Sequence, residues 1–431
     1  MRSASAPEVP DDAAAHDPSG APRRMAMLGN HTPRQCGIAT FTADLRAALV
    51  SRCPHLDCFV FAMNDPMKHY AYPPWVRGEI AQEASADYPR AAQRLNGLGV
   101  DVLSLQHEYG IFGGSAGSHI LGLLRELRMP VVTTLHTILP EPDPRQWTTL
   151  DEILRRSERV VVMSAHGAEL LRQIHGVPAG KIDLIPHGIP PVFCHGRPKS
   201  LVGVEGRQVL LTFGLLAPDK GIEYVIDAMP GVLERFPGTV YVVLGATHPH
   251  IKASQGERYR AMLEERARSL GVADSVIFHN RFVDEEELTR HLAAADIYIT
   301  PYLKLEQITS GTLAYALGSG KAVISTPYLY ARELLAEGRG ILVPCRDPAA
   351  ITREVLGLLG DDAGRLALRR RAAAYGRTMA WPVVAGSYLE SFSRARRDFA
   401  ARQAPRGAQA AAHAPLERHL ERYLEQPLEQ P

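Results

Sequence analysis

Cysteine is scarce: there are five in 431 residues (Cys36, Cys53, Cys58, Cys194 and Cys345), scattered, odd in number and never spaced C-x-x-C. This excludes a disulfide framework and a structural zinc site and fits a reducing compartment. Long apolar runs are missing as well. Nowhere do eighteen apolar residues stand together, so no membrane span is encoded, while peripheral membrane contact stays open. Nor does one sign of charge dominate, since 48 basic side chains stand against 47 acidic ones. That balance excludes the global field of a nucleic-acid binder or a polybasic membrane protein. The first residues, through about Pro22, are rich in Ala, Pro and Asp and lack the basic start and apolar run of an export signal. The expected location is the cytoplasm.

The chain is too long for one ordinary core and suits two α/β domains with tails. Short β-branched runs alternate with segments of helical period, the pattern of parallel sheets covered by helices. In the first half the strands are expected at Met25 to Leu28, Cys58 to Ala62, Val102 to Gln106, Val131 to Leu135, Val160 to Met163 and Asp183 to Ile185. The second half repeats the pattern at Val209 to Phe213, Val240 to Leu244, Val276 to Phe278, Ile297 to Thr300, Val323 to Ser325 and Ile341 to Val343. Between them Pro190 to Gly206 holds three prolines and little periodicity. The expected division is a disordered tail (1–22), a Rossmann-like domain (23–192), a linker (193–206), a second Rossmann-like domain (207–380), a helix (381–403) and a low-complexity tail (404–431). In that last tail Leu416, Leu420 and Leu424 share one helical face, but the segment is short and ends in prolines, so it reads as a frayed helix without a role.

Ligands of open α/β sheets bind at the carboxyl ends of the strands. After Val209 to Phe213 comes GLLAPDKGIEYVIDAM, where Gly214 lets the backbone approach a phosphate and Lys220 supplies positive charge. A solvated lysine at a helix start is the plainer reading of that pair alone. After Ile297 to Thr300, PYLKLEQITSGTLAYALGSGKAVIST places Glu306 on a loop before a helix starting near Ser310. Thr309, Ser310, Gly311, Thr312 and Leu313 begin that helix, whose free amides form an anion site suited to a diphosphate. The helix dipole adds about 0.3–1 kcal/mol. A cap of this kind standing alone is an ordinary capped helix.

In this order and at these intervals, Gly214–Lys220–Gly221, the N-R-F-V stretch Asn280 to Val283, A-D-I-Y-I-T-P-Y leading to Glu306, and the S-G-T-L helix start resemble the nucleotide-sugar glycosyltransferases of the GT-B fold. The likeness is greatest to the retaining family 4 and covers most of Met25 to Arg402. It implies two facing Rossmann-like domains and a GDP- or UDP-sugar donor. By the resemblance Lys220 binds the donor diphosphate, Glu306 accepts hydrogen bonds from donor sugar hydroxyls, and the main chain near Phe282 and Val283 flanks the base. It also implies a saccharide or lipid-linked acceptor, retention of configuration by front-side attack, and no metal or other cofactor. In the first half, TPRQCGIATFTADLRAAL is similar to the family's glycine loop, placing Gly37 near phosphate and acceptor. His136, in TTLHT, would then lie near the transferred sugar, and a buried structural histidine is the competing reading. His107 and Glu108, in QHEYGIFGG, are acceptor-side candidates.

Two departures bear on donor use. Ala314 stands where the family has a second glutamate for the ribose, eight positions after Glu306, and Leu215 stands where an arginine follows the phosphate-loop glycine. Each missing charged hydrogen bond is worth about 1.5–3 kcal/mol, or roughly tenfold to more than a hundredfold in affinity. A sugar-nucleotide-binding protein without turnover, and a phosphorylase or epimerase on the same fold, therefore stay open as alternatives.

Other motifs fail on context. G-G-S-A-G at Gly113 to Gly117 matches a hydrolase elbow, but Ser115 is not on the turn directly after a strand. G-S-G-K at Gly318 to Lys321 lacks the first glycine and the final Ser or Thr of a phosphate loop, and His248 and His250 lack a third metal ligand. No full dinucleotide fingerprint follows a predicted strand.

Overall fold

A computed structural model describes residues 21–66, 68–190 and 199–403. The leucines of the terminal tail, the first twenty residues, Cys194 and much of the expected linker lie outside these.

The first sheet holds β1 (Arg24–Gly29), β2 (Asp57–Asn64), β3 (Val76–Ala81), β4 (Val102–His107), β5 (Val131–Leu135), β6 (Arg159–Val162) and β7 (Ile182–Leu184). All are parallel, in the order β3-β2-β1-β4-β5-β6-β7. The second holds β8 (Gln208–Phe213), β9 (Thr239–Leu244), β10 (Val276–His279), β11 (Ile297–Thr300), β12 (Ala322–Ser325) and β13 (Ile341–Leu342), parallel in the order β10-β9-β8-β11-β12-β13. The twelve expected strands are present, and β3 is an addition. Its VRGEIA sequence alternates exposed Arg77 and Glu79 with buried Gly78 and Ile80 at the sheet edge, so it lacks the continuous apolar run of its buried neighbours.

Burial on both faces explains the β-branched runs. In β1, Met25 and Met27 pack into one core and Ala26 and Leu28 into another. In β8, Val209, Leu211 and Phe213 face one core while Leu210 faces the other. Each domain is thus a sheet between two layers of helices, the Rossmann-like arrangement expected of each half.

After the second sheet the chain crosses back. The Trp381–Gln403 helix buries Trp381, Val384, Tyr388 and Phe392 against Met25, Phe41 and Val132 of the first domain. Asp183 anchors it in a buried network. Its carboxylate accepts two hydrogen bonds from Arg159, both at 2.6 Å, and one from Ser391 at 2.6 Å, while Arg394 lies 2.9 Å away. The two crossings are joined: the Ile189 amide donates to Met379 O and the Trp381 amide to Ile189 O, each at 2.9 Å. Gly188 is a close approach, since a Cβ there would lie 2.2 Å from the Trp381 ring.

Candidate active site

In open parallel sheets the ligand crevice lies outside the strand ends where the strand order reverses. In the second sheet that place is between β8 and β11. Gly214 leaves β8 with φ +128°, and a Cβ there would lie 3.1 Å from Thr312 Cγ2, so the strand end touches the start of the Gly311–Gly318 helix. Gly221, at φ +61°, lies so close to Pro301 O that a Cβ would stand 2.3 Å from it. Only glycine lets the Pro218–Lys220 turn pack there. The turn sets the Lys220 ammonium 4.0 Å from the centroid of the Tyr302 ring, and 3.4 Å from Asp219. The Tyr302 and Thr312 hydroxyls are hydrogen-bonded at 2.9 Å. Gly214, Leu215, Lys220 and Tyr302 line one small recess.

The helix start is built as its sequence suggests. Ser310, extended at φ −149°, caps it, and its hydroxyl accepts from the Leu313 amide at 3.3 Å. Leu313 is fully buried and anchors the first turn. The amides of Gly311 and Thr312 have no intrahelical acceptor, so partial positive charge faces the recess. Thr309 Oγ1 is buried beside them without a partner.

Glu306 is exposed and makes no hydrogen bond or ion pair with any described residue, yet its loop is fixed on both sides. Leu305 O and Gln307 O accept from the amides of Leu329 and Tyr330 at 2.9 and 3.0 Å. Ile308 is buried in a first-domain cluster with Leu135 and Ile138. The free carboxylate is thus carried to the domain boundary by an apolar plug. Phe282 and Val283 follow β10, two strands from β8. Phe282 is exposed while Val283 packs on the second-domain core, so these two lie at the rim, apart from the recess.

The first sheet reverses between β1 and β4, and His107, Glu108 and His136 stand at that end. The His136 amide donates to His107 O at 3.0 Å, and its Nε2 lies 3.1 Å from Gln106 Oε1. Because Gln106 donates its own amide to Ser104, Oε1 is the acceptor, so His136 Nε2 carries a proton and Nδ1 a lone pair. Burial, with His187 and His107 adding to it, pushes His136 down to about 3, which keeps the ring neutral. His107 is fully buried with no partner for either nitrogen, and burial pushes it down to about 4. Glu108 accepts from the Tyr109 amide at 3.0 Å and from the Thr137 hydroxyl. Burial raises its pKa; hydrogen bonds and Lys304, from the Glu306 loop, oppose the rise. Gly37 is exposed at its helix start with nothing within 4 Å of a Cβ, and Cys36 caps that helix through Sγ, 3.3 Å from the Ala39 amide.

Residues that the sequence alone did not single out join the two halves. Phe41 packs between His136 and His187, ring centroids 4.9 and 5.1 Å away. His187 donates from Nδ1 to Gly188 O at 2.7 Å, and its Nε2 would lie 3.0 Å from a Cβ on Gly311. A chain of contacts therefore runs from His136 to the start of the second-domain helix. Tyr315 donates to Asp44 across the boundary at 2.9 Å, while burial raises the Asp44 carboxyl to about 6. Ala314 is fully buried in the second core.

The description "Glycosyl transferases group 1" matches residues 207–361, and "Glycosyltransferase Family 4" matches residues 36–193. This chain is a group 1 glycosyltransferase of the GT-B fold. The glycosyltransferase is 26% identical over 319 residues to a D-inositol 3-phosphate glycosyltransferase of Nocardiopsis dassonvillei, covering 68% of this chain and 70% of the relative. It is 28% identical over 282 residues to a GDP-mannose-dependent phosphatidylinositol monomannoside mannosyltransferase of Mycolicibacterium smegmatis, covering 62% of this chain and 69% of that one. Among solved structures it resembles the sucrose-phosphate synthase of Thermosynechococcus elongatus, with a TM-score of 0.68 at 18% identity over 88% of this chain and 100% of that chain. It also resembles Anabaena HepE in complex with UDP-glucose, with a TM-score of 0.66 at 16% identity over 86% of this chain and 99% of that one. No helix of the described residues is long and apolar enough to cross a membrane.

Proposed function

We propose that this glycosyltransferase moves a hexosyl group from a nucleoside diphosphate sugar, with GDP or UDP as the leaving group, to a hydroxyl of a saccharide or lipid-linked acceptor, with retention of configuration. The observation that carries the donor reading is the meeting of Gly214, Lys220, Tyr302 and the Ser310-capped helix start at the switch point of the second sheet. A diphosphate placed there faces free amides and one ammonium, which stabilise the negative charge that grows as the glycosidic bond breaks. The printed names of a GDP-mannose-dependent relative and of a UDP-glucose-bound neighbour support the same donor class.

In this reading Glu306, uncommitted to any protein partner, accepts from donor sugar hydroxyls. Neutral His136 keeps a lone pair on Nδ1, to which a hydroxyl of the transferred sugar donates in this reading. His107, Glu108 and Gly37 line the acceptor side, and the rim residues Phe282 and Val283 flank the base. Retention follows if the acceptor hydroxyl attacks from the face of the departing phosphate, which takes up its proton. Four described cysteines are free, which supports a cytoplasmic site of action.

The test is a thermal-shift and turnover screen against GDP- and UDP-sugars with mixed saccharide acceptors, run beside Glu306→Ala. A sugar nucleotide that raises the melting temperature and is consumed by the wild type, but not by a folded Glu306→Ala protein, supports the assignment. Stabilisation without turnover favours a binding protein, and no response to any donor removes the nucleotide-sugar reading.

A further inference from the structure

Arg260 lies on the Arg258–Ser269 helix behind the donor recess and is only 4% exposed. A buried guanidinium is expensive unless its charge is paired and its five N–H groups are used. This one is underused. Nη2 donates to Gly245 O at 2.7 Å, but Nε and Nη1 have no hydrogen-bond partner. The nearest carboxylate, Glu257, stands 3.5 Å from Nε and is already shared, accepting from the Thr247 hydroxyl and lying 3.2 Å from Lys252. Burial lowers the Arg260 pKa, and Glu257 and Glu264 offset that only in part.

The carbonyl that Arg260 holds belongs to the segment stacked on the phosphate turn. Gly245 follows β9 and nests so closely on Gly214 that a Cβ at 245 would lie 1.9 Å from Gly214 O. Beyond that contact the two strand exits run together, with the Leu216 amide donating to Ala246 O and the His248 amide to Leu216 O, both at 2.9 Å. The guanidinium is therefore one hydrogen bond and one backbone contact behind Gly214. Leu215, the neighbour of Gly214, brings no charge to the recess.

We propose that Arg260 is a positioning residue of the donor site. It fixes the Gly245–Gly214 contact through its bond to the Gly245 carbonyl, and its incompletely paired charge adds positive potential where the diphosphate binds. This rests on the nucleoside diphosphate reading above. A charge in a low-dielectric setting acts over several ångströms without touching the ligand, and Glu257, which Arg260 shares with Thr247 and Lys252, leaves part of this charge unmatched.

The experiment compares wild type, Arg260→Lys and Arg260→Met by titration calorimetry with UDP and GDP, and with uridine and guanosine as phosphate-free controls measured by competition. Arg260→Met should weaken the preferred diphosphate roughly tenfold and leave the matching nucleoside within twofold. Arg260→Lys, which keeps the charge, should recover most of the loss. Equal weakening of diphosphate and nucleoside in both variants, or diphosphate affinity unchanged in Arg260→Met, would overturn the proposal. If Arg260→Met does not fold, the Arg260→Lys ratio of diphosphate to nucleoside affinity decides: a ratio within threefold of wild type supports it, and a tenfold fall in that ratio contradicts it. Failure of the wild type to bind either diphosphate would instead sink the donor reading, and this proposal with it.

Discussion

Asp183→Ala tests the join between the first sheet and the returning helix. Burial alone would raise the Asp183 carboxyl, but Arg159, Ser391 and Arg394 outweigh it and hold the group below the usual aspartate range. Asp183 and Arg159 are 4% and 7% exposed at their side chains, so removing the carboxylate leaves a buried guanidinium with only the exposed Asp398, 3.6 Å from Nη1, as a carboxylate partner. Breaking one side of such a pair costs about 3–5 kcal/mol. Ser391→Ala removes one hydrogen bond from the same carboxylate and should cost about 1 kcal/mol. The readout is urea unfolding followed by tryptophan fluorescence. Trp75, Trp147 and Trp381 are the only tryptophans; Trp381 is buried in the first-domain core, while the exposed Trp75 and Trp147 rest on Arg46 and His175 of that domain, so the signal reports that body. The pH dependence has a definite sign. A carboxyl with a lowered folded-state pKa contributes its stability above the unfolded value and loses it as the pH falls through the folded value. The difference between wild type and Asp183→Ala should therefore be full at pH 7 and shrink only below about pH 4. A loss under about 1 kcal/mol at pH 7, within the range of ordinary surface changes, would show that the network contributes nothing beyond packing.

Two further changes probe the cleft. Lys220→Ala should weaken nucleoside diphosphate binding by roughly tenfold to a hundredfold with little change in melting temperature; calorimetry showing unchanged affinity would remove Lys220 from the site. Asp44 carries the opposite sign to Asp183: its carboxyl is raised to about 6, so the favourable state is the protonated one, and that stability is lost as pH rises through about 6. Because the loss begins at the unfolded value, at about pH 4, Asp44→Asn, which keeps an acceptor for Tyr315, should raise the melting temperature at pH 7.5, raise it by about half as much at pH 5, and leave it nearly unchanged at about pH 3.5; equal shifts at pH 7.5 and 3.5 would refute the assignment.

The sheets and the Ser310-capped helix were legible because their signals are local. Continuous β-branched runs mark strands buried on both faces, and Ser310 followed by Gly311 and Thr312 marks a cap whatever surrounds it. β3 was not legible, because Arg77 and Glu79 alternate along an edge. Glu306 could be named from its loop, but nothing in its neighbours revealed that Ile308 would plug into the other domain. His187 and Arg260 carry no motif, and Asp44 lies in the stretch similar to the family's glycine loop without being marked by it. They matter through partners far away in the chain, such as Tyr315 for Asp44 and Gly245 for Arg260, and only the folded arrangement brings these together. A histidine three residues after the end of β7, at the exit of the last strand of its sheet, was the one available pointer to His187.

The returning helix also changes what counts as a removable part. Because Trp381–Gln403 completes the core under β1 and β5, the first domain is discontinuous in sequence and the second is a cassette set into it, entered at Ile189 and left at Ala380. Both ends of the cassette are fastened at one place by paired backbone. Any motion of one domain against the other must carry both crossings together, with less freedom to swing or twist than a single tether allows. Truncation at the C-terminal side would open the first domain while sparing the second, and an exchange of donor specificity between related enzymes is best cut at the paired crossings, where both can be moved together.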